Sequence, residues 1–333
     1  MTDRDRTLVA GWLFLCAALT FAVVVVGGVT RLTRSGLSIA EWQPLIGVLP
    51  PASPADWDAL FARYRETPEF RLVNFNMTLE GFKGIFWWEY IHRLLARVIG
   101  VVFLLPYLFF VLRKKLDKPL VWKLGAIFAL GALQGLMGWV MVKSGLVDDP
   151  KVSPVRLAAH LGIALAILAA ELWLALQLVS PRERPFETLA LALPFVIFAM
   201  ALSGGMVAGL RAGYAYNTFP LMNGHLVPAE VLALEPWWRN FLYNMATVQF
   251  VHRAFFWLLC LLVPLAWWRM RHTPAARALF AAFIVQGVLG IATLLLLVPV
   301  GLGAAHQAGA ALLLAAAVWN AHAGGVWPAQ RRH

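Results

Sequence analysis

Along this chain, apolar runs of roughly 20 residues alternate with shorter polar segments. About 20 residues of α-helix cross a hydrocarbon core about 30 Å thick, so the pattern predicts membrane-spanning helices. The predicted spans are 9–30, 87–112, 120–142, 156–178, 187–208, 247–268, 277–298 and 304–324. A closed barrel would instead show segments of about 10 residues with alternating polarity, whereas Val9 to Val29 and Phe283 to Val298 are continuously apolar. The predicted class is therefore an all-α integral membrane protein with eight transmembrane helices. Between the first two spans, Trp57, Leu60, Phe61 and Tyr64 recur at helical spacing after Pro51 and Pro54, with Asp56, Asp58, Arg63 and Arg65 among them. This predicts an amphipathic helix that packs on the membrane surface or roofs a cavity.

Composition agrees with the pattern: 61% of the residues are hydrophobic, 14% are charged, and the mean hydropathy is +0.71. These values lie outside the soluble globular range. The net charge of +11 does not indicate nucleic acid, because Lys and Arg fall between spans rather than in a patch with stacking aromatics. Basic residues gather in the short connections on one side: Arg113, Lys114, Lys115 and Lys118, then Arg182 and Arg184, then Arg269, Arg271 and Arg277, with Arg331 and Arg332 near the end. The positive-inside rule then puts both termini in the cytoplasm and the two long connections, 31–86 and 209–246, outside. In a bacterial cell this means the inner membrane. The acidic residues before Thr7 and the lack of a small-residue cleavage pattern mark the first span as retained. Cys16 and Cys260 both fall within spans, which leaves no loop disulfide or paired-cysteine metal motif.

The two halves repeat. Gly27-Gly28 and Ser35-Gly36 match Gly204-Gly205 and Ala212-Gly213 at an offset of 177. His92-Arg93 matches His252-Arg253, Gln134-Gly135-x-x-Gly138 matches Gln286-Gly287-x-x-Gly290, and Ala158-Ala159-His160 matches Ala304-Ala305-His306. The expected arrangement is two pseudo-symmetric four-helix bundles, 1–180 and 181–333, related by an axis along the membrane normal.

Four histidines, His92, His160, His252 and His306, are expected within the first two turns of the even-numbered spans, at one depth near the outer face. Ionisable or metal-binding side chains inside spans are costly and mark function by default. One histidine on each of two facing helices supplies the two axial nitrogens of a buried haem iron. A single such histidine reads equally as a hydrogen-bonding residue between helices; four at matching repeat positions favour ligation. Zinc is the weaker alternative, because a structural zinc site wants four ligands and each half offers two. His225, His272, His322 and His333 show no such pairing. Arg93 and Arg253 are placed to pair with haem propionates, or to snorkel at the interface. The two Gln-Gly-x-x-Gly motifs serve close helix packing or admit a flat macrocycle. One helical turn before His92 is Glu89, where the second half has Gln249. A carboxylate beside a redox centre can move protons or stabilise a developing cation, and it can equally serve as a structural partner for Arg93. Its absence from the second half places the chemistry in the first half and electron storage or scaffolding in the second.

Phe86-Trp87-Trp88-Glu89-Tyr90-Ile91-His92-Arg93 and Gly28-Val29-Thr30-Arg31-Leu32-Thr33-x-Ser35-Gly36-Leu37-Ser38 resemble the haem A synthase family. The likeness covers nearly the whole chain. Pro68-Glu69-Phe70 and Asn76-Met77-Thr78-Leu79-Glu80-Gly81-Phe82-Lys83 resemble its proteobacterial and mitochondrial branch. The other branch carries an outer-loop cysteine pair that is missing here, so a thiol-disulfide role does not carry over. The resemblance implies an oxidoreductase that converts the C8 methyl of haem O to a formyl group, giving haem A for cytochrome oxidase. It further implies that His92 and His160 hold the substrate haem with Glu89 at the catalytic centre, and that His252 and His306 ligate a resident haem b. Haem O synthase, an electron-transfer partner and membrane lipid are the implied partners. Read from the residues alone, paired membrane histidines also suit a non-catalytic, quinol-linked dihaem electron carrier, and the repeat also suits a transporter. A prenyltransferase would need aspartate-rich motifs, and Asp148-Asp149 is the only adjacent pair.

Overall fold

The computed structural model describes residues 1–39, 49–145, 152–181 and 187–324. Arg182, Arg184, Arg331, Arg332, His333 and the Asp148-Asp149 pair lie outside the described residues. Among those described there are helices and turns but no strands. Eight helices among the described residues are long and apolar enough to cross a membrane: α1 (Asp3–Leu32), α4 (Leu79–Leu112), α5 (Lys118–Gly145), α6 (Pro154–Val179), α7 (Thr188–Leu210), α9 (Met245–Met270), α10 (Pro274–Leu295) and α11 (Val300–Ala323). The short helices α2 (Pro54–Arg65), α3 (Pro68–Leu72) and α8 (Asn240–Tyr243) lie in the two long connections. Large apolar side chains such as Leu105, Trp122, Phe195, Leu261 and Val288 remain exposed along the spans, as lipid-facing positions require.

Most spans begin before their apolar runs do. The largest difference is α4, which starts at Leu79 rather than 87; its 34 residues reach roughly 50 Å at about 1.5 Å per residue. The added turns carry Phe82 and Phe86, on which the loop helix packs. Trp57 meets Phe86 edge-on at 5.0 Å, and Tyr64 stacks on Phe82 at 5.1 Å. The expected loop helix is therefore α2, started by a capping box between Ser53 and Asp56 and fastened to α4 by an aromatic cluster. Pro106, Pro194 and Pro264 sit inside spans without ending them, as neighbouring helices allow within a membrane.

Packing follows the repeat. Helix α1 packs on α4 and α6, and α5 packs on α4 and α6; in the second half α7 packs on α9 and α11, and α10 packs on α9 and α11. The halves meet where α1 touches α11, α7 touches α6, and α6 touches α11. Even the backbone exits match: Arg34 after α1 and Arg211 after α7, 177 residues apart, both take φ of 55°. Polar contacts join the halves at several depths. Arg31 Nη2 donates to the Ala208 carbonyl at 3.2 Å, Gln307 Nε2 donates to the Val24 carbonyl at 2.7 Å, and His322 Nε2 lies 3.3 Å from Gln177 Oε1. His322 thus has a pairing that its place near the chain end concealed: it is buried in α11 and also meets the Trp173 ring.

Candidate functional site

Each of the four histidines lies with its ring edge against a glycine of a neighbouring helix. A Cβ built on Gly27 would stand 2.9 Å from His92 Cε1, on Gly138 3.1 Å from His160 Cε1, on Gly204 3.1 Å from His252 Cε1, and on Gly290 2.8 Å from His306 Cε1. Gly27 and Gly204 are repeat mates, as are Gly138 and Gly290, so one seat is built four times. In each seat the ring also senses the backbone of the residue one turn before the glycine, at Val23, Gln134, Met200 and Gln286. The last glycine of each Gln-Gly-x-x-Gly motif thus holds an imidazole, a use that spacing alone did not reveal. All four rings are partly exposed while their Nδ1 edges are buried, so the open edge of each ring faces out of its seat. The expected position of His92 within its helix is corrected. His92 lies more than three turns into α4, not two, because that helix begins well outside the apolar run.

In the second pair, the His252 and His306 rings stand 6.4 Å apart, centroid to centroid, at 88° to one another. With metal–nitrogen bonds of about 2 Å, two imidazoles on opposite sides of one metal have centroids roughly 6 Å apart. The residues therefore fit a bis-histidine iron. Among the described residues, no three His, Cys, Asp or Glu side chains converge as metal ligands. Each pair thus offers two nitrogens, the number a haem iron takes axially rather than the four of structural zinc.

The nitrogens of the four rings do not share one environment. Ser203 Oγ lies 2.8 Å from His252 Nδ1, and Nδ1 of His92, His160 and His306 has no side-chain partner. Gln134 Nε2 lies 3.4 Å from His160 Nε2, whereas its repeat mate Gln286 donates instead to the His306 backbone carbonyl at 2.9 Å. Ser203 is not among the residues that the sequence reading names, and Gln134 enters it only as part of a packing motif. The signal was there for Ser203: it precedes the Gly204-Gly205 pair, where the first half has Val26.

Glu89 is buried, and both its oxygens are engaged. Oε1 accepts from Arg93 Nη2 at 2.5 Å; Oε2 accepts from Ser38 Oγ at 2.7 Å and from the Ile39 amide at 2.8 Å. Arg93 Nη2 also donates to the Ile39 carbonyl at 3.0 Å. In the second half, Gln249 accepts from Arg253 at 3.1 Å and donates to the Ala212 carbonyl at 2.9 Å, while Arg253 reaches the Tyr216 carbonyl at 2.9 Å. Ile39 and Tyr216 are repeat mates, so the same latch ties the segment after the half's first helix to the helix carrying its first histidine. Each arginine serves first as a loop clamp. The first-half latch alone contains a carboxylate, one helical turn before His92 on α4.

The model of the COX15-CtaA family, cytochrome oxidase assembly protein, matches residues 10–318. The chain is 56% identical over 329 residues to the heme A synthase of Nitrosospira multiformis, covering 94% of this chain and 92% of the relative. It is 51% identical to that of Nitrosomonas eutropha, covering 95% and 93%, and 46% identical to that of Parvibaculum lavamentivorans, covering 96% and 95%.

Proposed function

This chain belongs to the COX15-CtaA family of cytochrome oxidase assembly proteins, and from that premise we propose that its activity is haem A synthesis, the oxidation of the haem O C8 methyl to a formyl group. The observation that carries the reading is the seat built four times with a carboxylate beside only one pair. Residues 1–180 form the reaction half, where His92 and His160 hold the substrate, haem O, and haem A is the product. Residues 181–333 form the half in which His252 and His306 ligate a resident haem b. Bound haem supplies the redox chemistry.

The rest falls to the chain's own side chains. Glu89 places fixed negative charge one turn from His92, where it stabilises positive character at a methyl carbon losing hydrogen. Arg93 holds Glu89 and the Ile39 carbonyl in place; Arg253 does the same for its own loop, and pairing with haem propionates is the second role we assign to both. The basic short connections support an inner-membrane protein with both termini cytoplasmic and the histidines toward the periplasm. Its partners are the haem O synthase that supplies the substrate and an electron-transfer protein.

Glu89→Gln tests the assignment, and the repeat supplies its folding control: Gln249 holds Arg253 in the equivalent latch at 3.1 Å. The variant is expected to fold and keep haem b while converting haem O about 100-fold more slowly, measured by extraction and chromatography of the copurifying haems. Full conversion with unchanged haem content would remove Glu89 from the catalytic centre. Recovery of haem b alone from the wild-type protein, with neither haem O nor haem A, would favour an electron carrier.

A further inference from the structure

The repeat provides an internal control: the same ring-on-glycine seat occurs at His92 and His252, and the residue before the glycine differs. It is Val26 in the first half and Ser203 in the second. Ser203 Oγ lies 2.6 Å from the Met200 carbonyl and 2.8 Å from His252 Nδ1. A hydroxyl has one hydrogen, and a carbonyl oxygen can only accept. At 2.6 Å the hydroxyl hydrogen must lie on the line to Met200, because two oxygens that close without a proton between them repel. The Ser203 oxygen is then an acceptor toward the ring, and Nδ1 of His252 carries the proton. That places the lone pair on Nε2, the nitrogen left to bind a metal, and holds the ring against rotation 6.4 Å from its partner His306. In the first half the valine side chain offers no acceptor, so the His92 ring has the Val23 backbone beside it and no side-chain partner at Nδ1.

The geometry assigns to Ser203 the role of a positioning residue that makes the His252–His306 pair a permanent haem clamp, while Val26 leaves the His92 seat suited to exchange. This rests on the reading that the second half holds the resident haem. The physical reason is general: a ligating imidazole whose other nitrogen donates a hydrogen bond is fixed in tautomer and orientation and becomes a stronger base toward the metal, and losing that partner typically costs 10–100-fold in metal affinity. A site that holds its haem through every turnover gains from such a fixed ligand. A site that must release its product does not.

The test uses the full-length protein purified with its haem, in five forms: wild type, Ser203→Ala, Ser203→Thr, Val26→Ser and His252→Ala. The readouts are the rate of haem transfer to excess apomyoglobin and the reduction potential of the haem that remains. Ser203→Ala is expected to release haem b about 10–100-fold faster and to shift its potential upward, as a less basic ligand stabilises ferric iron less. Ser203→Thr keeps the hydroxyl and is expected to stay near wild type in both. Val26→Ser is expected to slow release of haem O added to the first-half site. If His252→Ala strips haem b but Ser203→Ala changes neither rate nor potential, the Ser203 assignment falls and the location of haem b stands. If His252→Ala leaves haem b in place, the location itself is wrong and the assignment falls with it. Should Ser203→Ala release haem faster at an unchanged potential, with Ser203→Thr equally affected, the residue acts through packing and the hydrogen-bond assignment is overturned.

Discussion

A helix interior normally disfavours glycine by about 1 kcal/mol relative to alanine, yet four glycines stand where the four imidazoles meet neighbouring helices. The cost is accepted because no larger side chain leaves room for the ring. Gly290→Ala therefore separates two quantities that usually move together. The helix gains propensity, so the haem-free protein should be no less thermally stable, while a methyl 2.8 Å from His306 Cε1 must push the ring out of its seat. Haem b content after purification should fall several-fold. Gly301→Ala on the next helix is the matched control, since nothing lies within 4 Å of a Cβ there, and it should retain haem fully. Loss of haem in both variants, or in neither, would detach the glycines from the site. The histidines and these glycines were both visible in the sequence as repeated residues. Which glycine meets which histidine was not, because the pairing joins residues on different helices and exists only once the helices pack.

Among the elements, the spans were legible because lipid demands long apolar runs, and the loop helix was legible because its aromatic residues keep a helical period. The helix starts were less so. Leu79 to Phe86 continue α4 outward through residues that a hydropathy window dilutes, yet their rings pack on α2 rather than on lipid. The start of α2 yields a pH prediction. Hydrogen bonds from the Ser53 side chain, then from the Ser53 and Ala52 amides, hold the Asp56 carboxyl below its ordinary value. A carboxyl whose value is lowered by folding contributes stability above its unfolded value and loses it as pH falls through the folded one. The loop helix should thus fray from its Pro54 end in the acid range below the usual aspartate value, seen as faster amide exchange over 54–65. Asp56→Asn should show raised exchange already at neutral pH and no further acid step. Trp57→Ala should release the same segment at every pH by removing its contacts with Phe86 and Trp87, with haem b in the other half undisturbed.

For the whole molecule, the question is whether two similar halves behave as two bundles or as one body. One apolar core runs through both: Val24 of α1 and Leu165 and Leu168 of α6 join Leu193 and Ile197 of α7, Leu259 of α9, Leu279 of α10 and Leu314 of α11. The repeat was legible as matched motifs, but this shared core was not, since it depends on α1 crossing to α11 and α7 to α6. The seam closes on small residues. A Cβ on Gly205 of α7 would stand 3.1 Å from the Cα of Ala158 on α6, a backbone atom that cannot turn aside. Its mate Gly28 on α1 faces the flexible Gln307 amide of α11 at 2.8 Å. Gly205→Leu should therefore wedge the halves apart, at a cost of about 1–3 kcal/mol or more for overpacking, whereas Gly28→Ala loses mainly the Gln307–Val24 hydrogen bond, worth about 1 kcal/mol. If the shared core makes one cooperative unit, Gly205→Leu lowers a single thermal transition, and bound haem leaves in that same transition although neither His252 nor His306 has been touched. Two separate transitions, with haem b retained through the first, would show instead that the second bundle stands alone and that the seam between halves is an ordinary contact.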